Sequence, residues 1–308
     1  MAGRICVIGS INMDLVTVTP RFPLPGETIE GISFNTFPGG KGANQAVASA
    51  RLGADVTMVG RLGNDVFQAQ YREVFDRAGI RTDGVRSEAD VSTGLAIIEV
   101  DASGENHIII IPGANGRMTE QAIDLHRDLL ASCDIFLLQL EIPLGTVVAA
   151  AKLLHSLGKT VILDPAPARQ LPDGMYHYIN IITPNQSEAR ILTGIEVTDE
   201  ATALRAGADL CSRGVKCVII KAGAHGAYLV EGASIRRVPG FEVSVVDTTA
   251  AGDSFNGGLA FALSAASGQE QMYDAVRFAN AVGALSTTAK GAQTAMPDLA
   301  TVNAFLSR

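Results

Sequence analysis

The chain has 308 residues, 47% of them apolar and 18% charged, with a formal net charge of −8. Length and apolar content suffice for a substantial core in one large or two small domains. The acidic balance excludes sequence-independent nucleic-acid binding, which needs a basic surface, while leaving room for a local positive pocket that takes phosphate.

The N-terminus, M-A-G-R-I-C-V-I-G-S, carries too short an apolar run for a signal peptide, and Ile5–Ile8 within it reads as a first buried strand. Thr17–Phe37 follows, rich in Pro, Gly and Thr. Helical spacing then covers Ala43–Leu52, an apolar strand Val56–Val59, and helical spacing again Val66–Ala78. Two β-rich runs, Leu95–Val100 and His107–Ile111, flank a D-A-S-G turn and predict a hairpin. Beyond it come helix Ala122–Leu130, strand Ile135–Leu140, helix Thr146–Leu157 and strand Val161–Leu163. Strand Ile179–Ile182, helix Ala201–Cys211 and strand Val218–Lys221 continue the alternation. Three helices, Phe255–Ala266, Ala275–Thr287 and Leu299–Leu306, close the chain. Continuous apolar strands between helices imply an α/β fold: a mostly parallel sheet between helices, with ligands at the carboxyl ends of its strands. Residues 17–37 and 93–111 leave this rhythm and return to it. They are expected to form a small projecting β-sheet, a lid inserted into a single domain over residues 1–308.

No stretch reaches membrane-spanning length. Cys6, Cys133, Cys211 and Cys217 lie in or beside apolar segments with no C-x-x-C pair, so they read as thiols of a reducing compartment rather than a disulfide or zinc framework. The expected location is cytoplasmic, with no membrane or nucleic-acid partner.

The most informative stretch is V-D-T-T-A-A-G-D-S-F-N-G-G-L, Val246–Leu259. A small-residue loop, Asp247–Gly252, leads into a helix with Asp253 at its expected start. Small side chains let backbone N–H groups approach an anion, and a helix's first turn adds unpaired donors and a positive dipole end. Asp253 reads either as a base beside a phosphoryl group or as an N-cap. P-G-G-K-G-A-N-Q-A, Pro38–Ala46, brings a glycine pair before a helix and offers Lys41 and Asn44, or simply makes a tight turn. It is not a Walker A loop, because Gly42 follows the lysine. In G-S-I-N-M-D, Gly9–Asp14, an extended chain points Asn12 and Asp14 the same way, equipment for neighbouring sugar hydroxyls; an Asx turn is the alternative. Asn185 and Glu188 in T-P-N-Q-S-E-A share one face of a nascent helix, suited to hydrated Mg²⁺ and phosphates or to helix capping. Glu141 stands at another strand end. K-A-G-A-H-G-A, Lys221–Ala227, either lies flat under a nucleotide or turns a hairpin, with His225 a turn residue.

Together these motifs resemble the ribokinase-like carbohydrate kinases, also called the phosphofructokinase B family, from Arg4 to the C-terminus. Both long signatures, P-G-G-K-G-A-N-Q-A and D-T-T-A-A-G-D-S-F-N-G-G, match in order and separation. D-P-A-P-A at Asp164–Ala168 and K-G-A-Q at Lys290–Gln293 add to the match. The resemblance implies an ATP-dependent sugar kinase, with D-ribose as substrate and another furanose or a nucleoside (deoxyribose, fructose, adenosine) as the alternative. It implies Asp253 as catalytic base and the amides of Ala250, Ala251 and Gly252 as an anion hole. The sugar site would draw on Asn12, Asp14, Gly39, Gly40, Lys41, Asn44 and Glu141. ATP would lie near Asn185, Lys221, Ala222, Gly223, Ala224, His225, Gly226, Gly252 and Asn280, with Glu188 near Mg²⁺, through water. A K⁺ site would use Asp247, Thr249, Ser286, Ala289 and Gly291. The family usually has serine at Ala295 and asparagine at Asp164; the first change removes a ligand oxygen, and the second is not obviously at the chemistry. A homodimer joined through the lid is also implied. Two other classes remain: a non-catalytic sugar- or nucleotide-binding protein, against which Asp253 and its complete loop argue, and a nicotinamide oxidoreductase, which lacks the G-x-G-x-x-G fingerprint.

Overall fold

Strand β1 (Ile5–Ile8) lies in the interior of the main sheet, with all four of its side chains apolar and buried. The computed structural model of the chain describes residues 3–265 and 271–307. After β1 come β2 (Asn12–Val18), β3 (Ser33–Gly39), α1 (Lys41–Arg51), β4 (Val56–Gly63), α2 (Val66–Arg77), β5 (Arg81–Glu88), β6 (Gly94–Val100) and β7 (Asn106–Ile111). The middle of the chain forms α3 (Glu120–Leu125), α4 (Arg127–Ala131), β8 (Ile135–Leu138), α5 (Leu144–Ser156), β9 (Thr160–Leu163), β10 (Ile181–Ile182), α6 (Gln186–Thr193) and α7 (Glu200–Ser212). It ends with β11 (Cys217–Lys221), β12 (Ala227–Glu231), β13 (Ser234–Val238), α8 (Ala251–Ala265), α9 (Gln271–Ser286) and α10 (Leu299–Leu306).

The nine-stranded sheet runs β13-β12-β11-β10-β9-β8-β1-β4-β5. It is parallel from β5 to β11 and antiparallel only at β12 and β13. Successive residues of a strand face opposite sides. Accordingly Cys6, Ile8, Phe136 and Leu138 pack with α5, α6 and α7 on one side. Ile5, Val7, Ile135 and Leu137 pack with α1, α2, α8 and α9 on the other. Two covered faces explain why these strands read as unbroken apolar runs. The chain leaves β1 toward β4 and β5, then returns to β8 on the other flank, so the crevice beside β1 is the place where such sheets gather ligands.

A four-stranded sheet, β3-β2-β6-β7, stands apart from the first. It includes the two segments expected to form a β-layer, but it begins at Asn12 rather than at Thr17, since β2 pairs with both β3 and β6 along its whole length. Its outer strand β7 exposes Ile108, Ile109, Ile110 and Ile111, and Ile32 and Phe34 are exposed near its other edge.

Several expected boundaries shift. Strand β8 stops at Leu138, and the helical run Ala122–Leu130 is broken at His126 (φ −103°, ψ 13°) into α3 and α4. Helix α8 begins at Ala251, four residues before the expected Phe255, and it places Asp253 inside the first turn. Ala266, expected to end that helix, lies outside the described residues. All four cysteines are free thiols. Among the described residues, no helix is long and apolar enough to cross a membrane.

Candidate active site

Glycine sets the geometry where α1 meets the turn between β1 and β2. Gly40 has φ +85°, a left-handed conformation that side chains disfavour. A Cβ there would stand 2.6 Å from the Asn12 nitrogen, and one on Gly42 would stand 2.6 Å from the Ser10 nitrogen. The helix N-terminus therefore abuts the end of β1. Its opening amide, Lys41 N–H, donates to Glu141 Oε2 at 3.0 Å, and so a carboxylate occupies the positive end of α1. The same oxygen accepts from Ser10 Oγ at 2.6 Å and from Asn12 Nδ2 at 3.4 Å. Asp14 lies directly over Gly39, whose lack of a side chain leaves room for the carboxylate.

Burial pushes the Asp14 carboxyl up to about 7, with help from the negative charges of Glu141 and Asp253 and against the pull of Lys41. Lys41 is driven the other way. The Asp253 carboxylate, then Asp164 and Glu141, hold its ammonium charged more firmly than usual, despite burial.

Asp253 is the hub. It is 5% exposed, and both carboxylate oxygens are engaged: Oδ2 accepts from Asn44 Nδ2 at 3.0 Å and Oδ1 from Gln45 Nε2 at 3.1 Å. The side chain turns into the interior and does not cap its own helix. Burial raises its pKa; Lys41 opposes this and the Asp164 carboxylate adds to it. Gln45 Nε2 also donates to Asp164 Oδ2 at 2.9 Å, and Gln45 Oε1 accepts from Gln139 Nε2 at 2.7 Å. Asp164 Oδ1 in turn pairs with Lys221 Nζ at 2.9 Å, with little of either side chain exposed. Gln293 Nε2 donates to Asn44 Oδ1 at 3.0 Å. A continuous polar belt thus joins α1, the ends of β8, β9 and β11, and α8.

The loop before α8 is held in an unusual shape: Ala250 has φ +59°, uncommon for a residue with a side chain. The Ala251 amide donates to Thr248 O at 3.2 Å, so of the three amides expected in an anion hole it is the one already engaged. The Gly252 and Asp253 amides, in the first helical turn, have no such acceptor among the described residues, as expected of a helix N-terminus.

From Asp253 a cleft opens past Lys41, Asp164, Asn185, Glu188, Lys221 and Gly252. It continues into a cavity of about 580 Å³ walled by Phe241, Val243, Val245 and Phe255, with Gly223, Ala224, Gly226 and Asn280 at its margin. Of the expected nucleotide residues, Ala222 and His225 do not line either space. Ala222 is buried beneath the turn with its N–H bonded to Gly226 O, and His225 is exposed on the short 3₁₀ turn between β11 and β12. Asn280 reaches the cavity, but its Nδ2 is committed to the carbonyls of Val238 and Pro239. Asn185 and Glu188 form a reciprocal capping box on α6, Glu188 Oε2 accepting from Asn185 N–H at 2.7 Å. Glu188 still lines the cleft, and burial raises its pKa.

Of the residues expected around a monovalent cation, the structure joins three. Asp247 Oδ1 accepts from Thr249 N–H and Oγ at 2.9 and 2.6 Å, and Oδ2 from Gly291 N–H at 3.0 Å. Burial works against the Asp247 charge, but these bonds hold its pKa below the usual range. Ser286 is buried and returns its hydroxyl to Gly283 O, while Ala289 is exposed. The loop is tied to that end of α9 through Thr287 O, which accepts from the amides of Val246 and Asp247.

Asp164 requires a correction. Rather than standing away from the chemistry, it occupies the floor of the cleft between Lys221 and Gln45. Gln45, Gln139, Asn115 and Gln293 were not singled out either. Their signal was present: Gln139 and Asp164 each follow an apolar strand directly, at the carboxyl end where such sheets place ligands.

The pfkB family carbohydrate kinase model matches residues 2–299. Ribokinase from Haemophilus influenzae is 42% identical over 298 residues, covering 96% of this chain and 96% of the relative. Deoxyribokinase from Salmonella typhi is 38% identical over 306 residues, 98% of each chain. The solved structure of Arabidopsis thaliana ribokinase complexed with ribose and ATP superposes with a TM-score of 0.94, at 35% identity, covering 100% of both chains. Signatures, fold and full-length similarity agree: the chain belongs to the pfkB family of carbohydrate kinases.

Proposed function

We propose that this protein is a cytoplasmic ribose kinase, transferring the γ-phosphoryl group of ATP to D-ribose to give D-ribose 5-phosphate. One observation carries the reading. Asp253 stands at the junction of two sites, bonded to Asn44 on the side of the glycine-rich helix start and lining the cleft that leads to Lys221 and Glu188. Asn12, Asp14, Lys41, Asn44 and Glu141, over the bare backbone of Gly39 and Gly40, make the sugar side. Asn185, Lys221, Gly223, Ala224, Gly226 and Asn280 make the nucleotide side, with the apolar cavity taking the base.

Phosphoryl transfer asks mainly for positioning and charge stabilisation. Asp253 accepts the proton of the attacking hydroxyl, and burial, which raises its proton affinity above that of an ordinary aspartate, suits it to that task. The Gly252 and Asp253 amides and the helix dipole receive the transferring group's negative charge. Lys41 and Lys221, which both line the cleft, add positive charge. The small four-stranded sheet closes over the sugar and keeps water from competing with it.

Mg²⁺ fits here as a largely hydrated ion. Glu188 and Asp164 line the cleft, yet among the described residues no three acidic, histidine or cysteine side chains gather into a cage. Bound there, the ion would supply positive charge against the phosphates, and Glu188 is the residue that would hold it, through water. K⁺ fits the Asp247 loop, where a carboxylate kept ionised stands beside the irregular backbone at Ala250. With Ala295 in place of serine, activation by K⁺ is expected to persist but to need more salt. Turnover measured against K⁺ at constant ionic strength should show Ala295→Ser responding at lower concentration than the wild type. Coincident curves would remove this site from the mechanism.

The exposed isoleucines of β7, with Ile32 and Phe34, support a homodimer joined through the small sheets. Ile109→Lys is expected to convert a dimer to a monomer in sedimentation equilibrium; a wild-type monomer would end this reading.

The similarity to a deoxyribokinase favours a second substrate, 2-deoxyribose. An ADP-release assay over ribose, 2-deoxyribose, fructose and adenosine decides between them. Ribose should give the highest kcat/KM. A higher value for 2-deoxyribose would move the assignment to that sugar, and no sugar-dependent turnover by protein that binds ATP would overturn the kinase reading.

A further inference from the structure

The amide of Asn12 is oriented by a residue that no signature includes. Asn115 lies in the turn Gly113–Arg117 that follows β7, 1% exposed and more than a hundred residues from β1 in sequence. Its Oδ1 accepts from Ile11 N–H at 2.9 Å, while its Nδ2 donates to Ile11 O at 3.1 Å and to Asn12 Oδ1 at 2.7 Å. A backbone N–H can only donate and a backbone carbonyl can only accept, so Ile11 dictates which end of the Asn115 amide is oxygen. The order propagates. Asn115 presents N–H to Asn12, Asn12 must answer with Oδ1, and Asn12 Nδ2 is left facing Glu141 Oε2. Tyr71 reinforces the arrangement from α2 by donating its hydroxyl to Asn12 O at 2.8 Å. Opposite them, Gly94 opens β6 in register with Asn12, and a Cβ on it would collide with both Asn115 Nδ2 and Asn12 Oδ1.

We infer that Asn115 is a positioning residue for sugar recognition: it fixes Asn12 as a hydrogen-bond donor, so that this position reads an oxygen lone pair of the sugar. It also ties the exit of the small sheet to the sugar contact, because the turn that carries it follows β7 directly. The inference rests on the sugar-site reading given above for Asn12.

The two readings are separable by calorimetric titration of the full-length protein with ribose and, separately, with ATP. Asn115→Asp sets a carboxylate oxygen against Asn12 Oδ1 and reverses the Asn12 amide toward Glu141. It should weaken ribose by roughly tenfold or more, the scale of a hydrogen bond made at a charged partner, and leave ATP affinity within about twofold. Gly94→Ala keeps both asparagines and wedges a methyl group between them; it should weaken ribose in the same sense, and it carries the test if Asn115→Asp does not fold. In an Asn12→Ala background, Asn115→Asp should add less than about twofold, because the two residues act as one unit. A loss of ribose affinity in Asn12→Ala, with none in Asn115→Asp and Gly94→Ala, overturns the positioning role alone. Additive losses in the double mutant, or equal losses for ribose and ATP, do the same. Unchanged ribose affinity in Asn12→Ala overturns the sugar-site reading and this inference together.

Discussion

Asp253→Asn is expected to lower kcat by at least ~10²-fold, the range for removing a general base, with ribose and ATP affinities nearly kept. The geometry shows why asparagine is the informative replacement. Both Asp253 oxygens accept from amide donors, on Asn44 and Gln45, so asparagine retains one of these bonds and sets N–H against N–H in the other. That costs packing order but removes a charge that burial disfavours. The two effects oppose, and the fold survives. What is lost is proton acceptance. The wild-type profile of kcat/KM should accordingly fall on the acid side, at a pH above the ordinary aspartate range, because burial raises the Asp253 pKa. Turnover by correctly folded Asp253→Asn within ~10-fold of wild type would falsify the role.

Asp14→Asn is expected to weaken ribose by roughly 1.5–3 kcal/mol, the scale for hydrogen bonds to a charged group, and to make the ligand-free protein more stable near neutral pH. Both follow from one property. Asp14 titrates near 7 when folded, against 3.8 for an ordinary aspartate, because it is held in a poorly solvated site beside Glu141 and Asp253. Between those values the folded state binds more protons than the unfolded state, so this group makes stability fall as pH rises from about 4 to about 7. Asparagine removes that slope. The measurement is Tm against pH for both proteins: the curves should converge toward pH 4, with the variant higher at pH 7 and above. Wild-type ribose affinity should also decline below about pH 7, where Asp14 takes up a proton and ceases to accept hydrogen bonds from two hydroxyls at once. Parallel Tm curves, or ribose binding indifferent to both the mutation and pH, would show that Asp14 is neither buried as a charge nor in contact with sugar.

Much of the architecture was legible because its cause is local. A strand covered on both faces reads as a nearly continuous apolar run, and β1, Val161–Leu163 of β9 and Val218–Ile220 of β11 announce themselves by that alone. Helix α10 matches its expected limits, Leu299–Leu306. The edge strands β5 and β13, half solvated and mixed in polarity, carry no such run and were not foreseen. Asn12 and Asp14 on one face of β2, and the glycines before α1, were also readable, since alternation along a strand and the steric needs of a tight approach depend on neighbours in the chain.

The belt around Asp253 was decided elsewhere. Gln45 and Asp253 are 208 residues apart in sequence, Gln45 and Asp164 are 119 apart, and Asn115 and Asn12 are 103 apart. A side chain's own periodicity says whether it is buried, never which distant element brings its partner. That is why Asp164 read as a change not obviously at the chemistry, until the strand order set the ends of β9 and β11 together and paired it with Lys221. The residue types at this site, their local geometry and the family were determined by the amino-acid sequence. Which carboxylate meets which amide, and therefore how each group holds its proton, was decided by the tertiary structure, because hydrogen bonding and desolvation act through space between elements the chain keeps far apart.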